Sequence, residues 1–600
     1  MTLLTLVAVA LCLWRIGVVA WRARGWRWRC GDWGVRGGCE QDERREDADV
    51  QQRPSVYADY AGCPPVPPGL VRACLGRLEE QLARGVLRNP HSERVEAGGG
   101  TSSTLSSSSS IVDALRVETL RYCRASSREY VCVLTSGATA GCRIVGEVFG
   151  VDEFAYLVDN HTSVVGVSGV AGRSRAVAVA DLFEVEAGVV EERASEGALR
   201  MEGCFGLGLF QRRPGRERQR QLRQLLQQRQ QQRRLFAYPS ESNFTGVRYS
   251  LRAIEHWQRR GYRVLLDVAK AASTEPPDLS RVRPDFVVLS YYKIFGIPTG
   301  LGALLVRKDA VGVGWLDGRG GYFGGGTVEY VVPERGVVRR RRLPYGVEHG
   351  TLPYLGALQA LVGFEWWREQ QREGAASGGG GGVDGRALGV AMELARRLTR
   401  LTHANGRPVC VLYGGWGAIV DEKDVEDEKD VEDEKDVEDV QSVGRVQGPV
   451  VAFNVVDRDG RAVGCRDVEQ AAGLWGISLR SGSLCNAGGL RMALGLSPDE
   501  MVEVWRTREA VRAHRTGDTS TSVSSCDDGV VLPDGTPTGV VRASFGYGSR
   551  PSDAAAIADF VAETFVDAGV AGSSMSSVSR TPVSRTWDVE IDRLYIYPIK

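Results

Sequence analysis

Short runs of Val, Leu, Ile and Phe recur along the chain, and stretches with a helical apolar period lie between them. VCVLT (131–135), FAYLVD (154–159), RVLLDVA (263–269) and DFVVLS (285–290) read as strands that are apolar on both faces. After the first, a glycine turn leads into AGCRIVGEVF (140–149), an amphipathic helix. Two-sided apolar strands alternating with helices predict an α/β fold with a mostly parallel sheet covered on both faces. Functional groups then gather at the carboxyl ends of the strands.

Four stretches interrupt this pattern and cannot pack a core. They are the Gly/Ser segment at 98–110, the Gln/Arg stretch at 211–234, GGGGG (378–382) and the tandem DEKDVE repeats at 421–440. Arginine clusters neutralise phosphates, so 211–234 also suits a nucleic-acid arm. It lacks interleaved aromatics and breaks an ordered pattern, so it is read as a loop insertion and no nucleic-acid partner is expected. A Ser-rich linker follows at 573–586, and the alternation in WDVEIDRLYIYPIK (587–600) reads as a strand.

Six hundred residues exceed one compact core. The expected organisation is an extension at 1–50, a large domain at 51–350 with inserts at 97–110 and 211–234, and a smaller domain at 351–572 with inserts at 376–383 and 421–440. Lys plus Arg and Asp plus Glu both total 75, so net charge points to no polyanionic partner. The 13 cysteines show no paired CxxC spacing, which argues against a zinc ribbon or a disulfide scaffold. The apolar run at 2–14 ends at Arg15 and is shorter than the about 20 residues of a bilayer crossing. A cytoplasmic protein is expected, with a membrane anchor at 2–14 as the lesser alternative.

TSGAT (135–139) follows a strand and opens a helix, where backbone N–H groups and the Thr139 hydroxyl can approach a phosphate. An ordinary strand–turn–helix corner has the same composition. Asp267 ends an apolar strand, where an unpaired carboxylate is costly to bury. Lys293 lies just past the next strand. A lysine there can form a Schiff base while Asp267 holds a pyridinium, and a plain Asp–Lys ion pair fits the same spacing.

Further segments decide between these readings. YADYAG (57–62), NPHS (89–92), TSGATAG (135–141), VDNHTSVVG (158–166), LFAYPSESNFTGVRY (235–249), SYYKIFG (290–296), EHGTLPYL (348–355), GISLRSGSLCNAGG (476–489) and VRASFGYGS (541–549) occur in that order. Together they resemble the class V aminotransferase-like family of pyridoxal-phosphate enzymes. More narrowly, they resemble the desulfurase part of the eukaryotic sulfurases that serve the molybdenum cofactor. The resemblance implies fold type I, with a seven-stranded-type large domain and a smaller α+β domain.

It also implies roles for individual residues. Lys293 would carry pyridoxal 5'-phosphate, Asp267 would pair with its ring nitrogen, and His161 would stack on the ring. Asn243 would reach its phenolic oxygen, and Ala138, Thr139 and Ser290 would bind its phosphate. Thr351 would reach that phosphate from the second subunit of a homodimer. Arg542 would hold the carboxylate of L-cysteine. Cys485, in the family's R-x-G-x-x-C pattern, would take the sulfur as a persulfide from a flexible small-residue loop.

The sequence departs from the resemblance at Ser483, Leu484, Lys270 and Tyr292, where relatives carry other residues. Segment 587–600 resembles the first strand of a MOSC-type barrel. The implied acceptor is the molybdenum cofactor, with hydroxylases of xanthine dehydrogenase or aldehyde oxidase type as eventual recipients. A general cysteine desulfurase and a non-catalytic scaffold remain the alternatives.

Overall fold

The computed structural model describes residues 55–87, 108–184, 233–311, 322–376, 382–416, 446–516 and 535–567. All of them belong to the unit Arg53–Lys600. The expectations for 1–50, 421–440, 573–586 and 587–600 lie outside the described residues, as do most of 97–110, 211–234 and 376–383.

After β1 (Val56–Tyr57), seven strands build the large sheet: β2 (Tyr130–Thr135), β3 (Glu153–Leu157), β4 (Arg173–Val177), β5 (Arg234–Pro239), β6 (Arg263–Asp267), β7 (Phe286–Ser290) and β8 (Gly302–Arg307). Their order is β2-β8-β7-β6-β5-β3-β4, and only β8 runs antiparallel to its neighbours. This is the mostly parallel, seven-stranded sheet that the sequence predicts. Successive residues face different cores, as the strand period of two requires. Leu266, Val287 and Leu305 pack with the helices Ser108–Tyr122 and Tyr354–Ala376, and Leu265, Val288 and Leu304 pack with Ala138–Glu147. Each such side chain contributes about 1.5–3 kcal/mol on burial, which is why the strands are apolar on both faces.

An exposed hairpin, β9 (Val328–Val332) with β10 (Val337–Arg340), follows. Four further strands, β11 (Cys410–Tyr413), β12 (Val450–Val455), β14 (Arg480–Gly482) and β15 (Val540–Ser544), form an antiparallel sheet in the order β11-β12-β15-β14, with β13 (Ile477–Ser478) between β12 and β14 in the chain. The helices Gly382–Arg400, Cys465–Leu474 and Pro551–Phe565 share its core. β1 pairs in parallel with β13, so the segment before the large sheet is tied to this smaller module.

One boundary is corrected. Ser108–Ser110, expected within a flexible Gly/Ser insert, form the first turn of Ser108–Tyr122. Serine is well tolerated at a helix start, where its side chain can serve the free N–H groups. No helix among the described residues is long and apolar enough to cross a membrane.

Candidate active site

Register brings the candidate residues to one edge of the large sheet. Asp267 pairs with Pro239 on one side and Val288 on the other, so the carboxyl ends of β5, β6 and β7 lie together. The four-residue helix Tyr292–Phe295 follows β7 and carries Lys293. It is pinned by Tyr291, fully buried, whose hydroxyl shares a 2.7 Å hydrogen bond with the Thr119 hydroxyl. Gly296 ends it at φ 83°, a left-handed conformation that suits glycine.

The Asp267–Lys293 ion pair that the spacing allowed does not form. The buried Asp267 carboxylate accepts the Ala269 N–H at 2.8 Å, its only hydrogen bond among the described residues. Burial pulls the Lys293 ammonium below the usual lysine range against the raising pull of Asp267; Arg542 also lowers it, and Cys485 and Asp59 raise it. All four are therefore within electrostatic reach of the amine. His161 is pulled below its usual range first by burial and then by Lys293, while Asp267 acts the other way. Its Nδ1 caps the helix Thr162–Val165 by accepting the Ser163 N–H at 3.1 Å, which fixes the ring.

The TSGAT turn meets the end of β7 because Gly302 is in register with both Thr135 and Ser290. A Cβ on Gly302 would come within 2.7 Å of Gly137 Cα and 2.4 Å of the Leu289 oxygen, so only glycine permits this approach. The Ser290 hydroxyl accepts the Ala138 N–H at 2.9 Å. Thr139 is exposed in the first turn of Ala138–Glu147, beside the exposed Ser136. Thr351 is also exposed; with Thr135, Ser136, Arg340 and His349 it lines a cavity of about 990 Å³.

Asn243 and Cys485 meet across the two modules. The Asn243 amide donates to the Leu484 carbonyl at 2.8 Å, and the Thr162 N–H donates to the Cys485 carbonyl at 2.8 Å. Leu484 is buried with Phe244 and Leu490. Cys485 is thus flanked by hydrogen bonds to its own and the preceding carbonyl and by the buried Leu484. Both Leu484 and Cys485 sit at φ 54°.

Arg542 lies on β15, 3% exposed. It donates to the Asp59 carboxylate at 2.6 Å and to the Asn243 carbonyl at 2.7 Å, while its buried Nε has no partner. Lys270 turns away from the site and pairs with buried Glu241, which explains how a cation is tolerated there.

Three residues escaped sequence reasoning: Asp59, Asp159 and Asn486. Asp59 holds Arg542. Asp159 accepts from Ser242, Tyr249 and Asn486 at 3.0, 2.5 and 2.6 Å, and the Asn486 amide also donates to the Asn243 side-chain oxygen at 3.0 Å. Asp159 gave the same signal as Asp267, a lone carboxylate just past an apolar strand.

The Aminotransferase class-V profile matches residues 195–377. Among solved structures, the apo cysteine desulfurase of Thermococcus onnurineus NA1 superposes with a TM-score of 0.53 at 16% identity, over 85% of this chain and 94% of that one. The cysteine desulfurase CsdA of Escherichia coli does so with a TM-score of 0.51 at 18% identity, over the same shares. At these identities the likeness speaks for the fold. Residues 195–377 thus match the class V aminotransferase model, and the chain shares the fold of these cysteine desulfurases.

The chain is also similar to curated molybdenum cofactor sulfurases. That of Oryza sativa subsp. japonica is 30% identical over 601 residues, covering 95% of this chain and 64% of that protein. That of Arabidopsis thaliana is 32% identical over 550 residues, covering 87% and 59%. The chain thus spans about three-fifths of these relatives' length.

The residues present fit pyridoxal 5'-phosphate. Lys293 makes no hydrogen bond or ion pair among the described residues. Asp267 has acceptor capacity left after one backbone bond, and the turn at 137–139 presents small residues at a helix start.

Proposed function

We propose that this chain is a pyridoxal-phosphate-dependent cysteine desulfurase that takes sulfur onto Cys485 for delivery to the molybdenum cofactor. In this reading Lys293, Asp267, His161, Asn243, Ala138, Thr139 and Ser290 hold the cofactor. The bound cofactor would supply an electron sink for bonds broken at the substrate's α-carbon. The observation that supports the reading is that Asp267, at the end of β6, and Cys485 both lie within electrostatic reach of the Lys293 amine just past β7.

Each residue has a derivable task. Burial lowers the proton affinity of the Lys293 amine, so it can take a proton from the α-carbon at moderate pH and return it elsewhere. The Arg542 guanidinium, with Nε unengaged, is suited to the substrate carboxylate. The Cys485 sulfur forms an S–S bond to the substrate sulfur as the substrate's C–S bond breaks. The carbon fragment takes a proton and leaves as L-alanine, so cysteine and the thiol become alanine and a persulfide.

The persulfide sulfur would then pass to the molybdenum cofactor as a sulfido ligand, a thiol reductant supplying the two electrons and the displaced oxo ligand leaving as water, and would serve hydroxylases of xanthine dehydrogenase or aldehyde oxidase type. Similarity to the sulfurases supports that acceptor. Thr351, exposed beside the phosphate turn, suits a homodimer in which it reaches the second site.

Alanine release from L-cysteine tests the reading. Lys293→Ala is expected to abolish it, and Cys485→Ser to lower it about 100-fold or more. Undiminished release from Cys485→Ser would overturn the persulfide step. Desulfuration without repair of a sulfur-depleted molybdenum hydroxylase by the full-length protein would redirect the sulfur to another acceptor.

A further inference from the structure

We propose that Asp159 is the positioning residue that locks Cys485 and Asn243 against the His161 segment, fixing the sulfur acceptor in place. The inference rests on the desulfurase reading and deepens it.

The Asp159 carboxylate is 2% exposed and forms no ion pair among the described residues. A carboxylate so buried is costly unless hydrogen bonds satisfy it. It receives three, all from neutral donors on other segments: the Ser242 hydroxyl at 3.0 Å, the Tyr249 hydroxyl at 2.5 Å and the Asn486 amide at 2.6 Å. Each links to the site by chain proximity. Ser242 precedes Asn243, Asn486 follows Cys485, and Asp159 itself stands two residues before His161.

The ring then closes on itself. The Asn486 amide also donates to Asn243 Oδ1 at 3.0 Å, and its own oxygen caps the helix Ala487–Ala493 by accepting the Gly489 N–H at 2.8 Å. Asn243 returns a bond to the Leu484 carbonyl at 2.8 Å, and the Thr162 N–H holds the Cys485 carbonyl at 2.8 Å. One carboxylate therefore joins the segments bearing the ring-stacking, cofactor-contacting and sulfur-accepting residues.

A second observation points the same way. Leu484 and Cys485 both adopt φ 54° without being glycine. Consecutive left-handed residues persist only where the surroundings over-determine them, and such strain gathers at functional positions. The lock supplies that determination. The electrostatic reach of Cys485 to Lys293 and Tyr292 indicates what the lock is aimed at.

The test uses the cofactor-loaded full chain with Asp159→Asn, which keeps the shape but removes the charge and one acceptor oxygen, leaving a single oxygen for the Ser242, Tyr249 and Asn486 donors. Alkylation of Cys485 by iodoacetamide is measured beside alanine release, the cofactor absorbance and the unfolding temperature. The expected result is a changed Cys485 alkylation rate and a fall in kcat of about 100-fold, with KM for cysteine altered far less.

Tyr249→Phe and Ser242→Ala each remove one donor and should move kcat and alkylation in the same direction by smaller factors. They carry the test if the Asn variant does not fold. A lowered unfolding temperature with unchanged alkylation and kcat would overturn the proposal, leaving Asp159 a pin of the fold alone. A wild-type protein that releases no alanine sinks the desulfurase reading instead. The alkylation rates still decide the lock in that case.

Discussion

Lys293 owes its chemistry to where it is held. Burial keeps its amine below the ordinary lysine value of 10.5, and Asp267 is the chief influence resisting that fall. The amine of the cofactor-free protein should therefore react with a small aldehyde, trapped by reduction, with a midpoint below pH 10.5. Asp267→Asn should move that midpoint lower still, because a raising charge is removed; an upward move would contradict the assignment.

Arg542 shows the complementary problem of a buried cation. Its counter-charge is Asp59, 483 residues away in the chain. Asp59→Ala leaves the guanidinium buried without an ion-pair partner and should cost about 3–5 kcal/mol in urea unfolding. A loss below about 1 kcal/mol would mean that the pair behaves like a surface bridge.

At the scale of elements, the helix Arg252–Arg259 is set by Trp257, which stacks on Phe236 with ring centroids 4.0 Å apart. His256, on the same helix, is held down to about 4 from 6.5, chiefly by burial and then by Arg260 and Arg259. Its Nε2 is buried without a partner. The unfolded chain then binds a proton between pH 6.5 and about 4 that the folded chain refuses. Stability should fall as pH drops through that window and level off below it. His256→Gln should flatten the slope in unfolding curves taken across the window; an unchanged slope would remove His256 as its source.

The helix Ala487–Ala493 depends on a glycine in a different way. A Cβ at Gly488 would lie 1.8 Å from the Val158 carbonyl oxygen. Gly488→Ala should therefore displace this helix, and Cys485 with it, and show as a lowered kcat in a still-folded protein. Unchanged kcat would show that the approach can relax.

The same elements show how far the sequence could be read. The strands β2, β3, β6 and β7 were legible because both faces of each are largely buried, so continuous apolar runs mark them, and Asp267 stood out as a carboxylate at such a run's end. Asp159 carried the same signal, but its partners Ser242, Tyr249 and Asn486 lie 83, 90 and 327 residues away, and local pattern does not reveal such pairings. The bonds that Asn243 and Thr162 make to the Cys485 loop were equally hidden, because glycine and serine in the loop give no sign of partners so distant in sequence. Lys270 was noticed as a departure, yet its answer, Glu241, is visible only in space.

For the whole molecule, the site is assembled from residues between Asp59 and Arg542, so its integrity reports on both sheets at once. Beneath the large sheet, Glu348 of the EHGT segment binds Arg116 through two contacts of 2.5 and 2.8 Å and accepts the Leu134 N–H at 2.7 Å. This buried pair anchors the stretch carrying Thr351 to the strand that leads into the TSGAT turn. Glu348→Ala should destabilise the protein by about 3–5 kcal/mol in denaturant unfolding. A loss under about 1 kcal/mol would show that the stretch is held by other contacts.

The central claim is that sulfur passes from cysteine to Cys485. Mass spectrometry of the cofactor-loaded protein, mixed with L-cysteine without reductant and then alkylated, tests it most directly. The account predicts one added sulfur atom on the peptide bearing Cys485, formed in step with one alanine per site. Alanine released while Cys485 stays unmodified, or sulfur appearing on another cysteine instead, would contradict it.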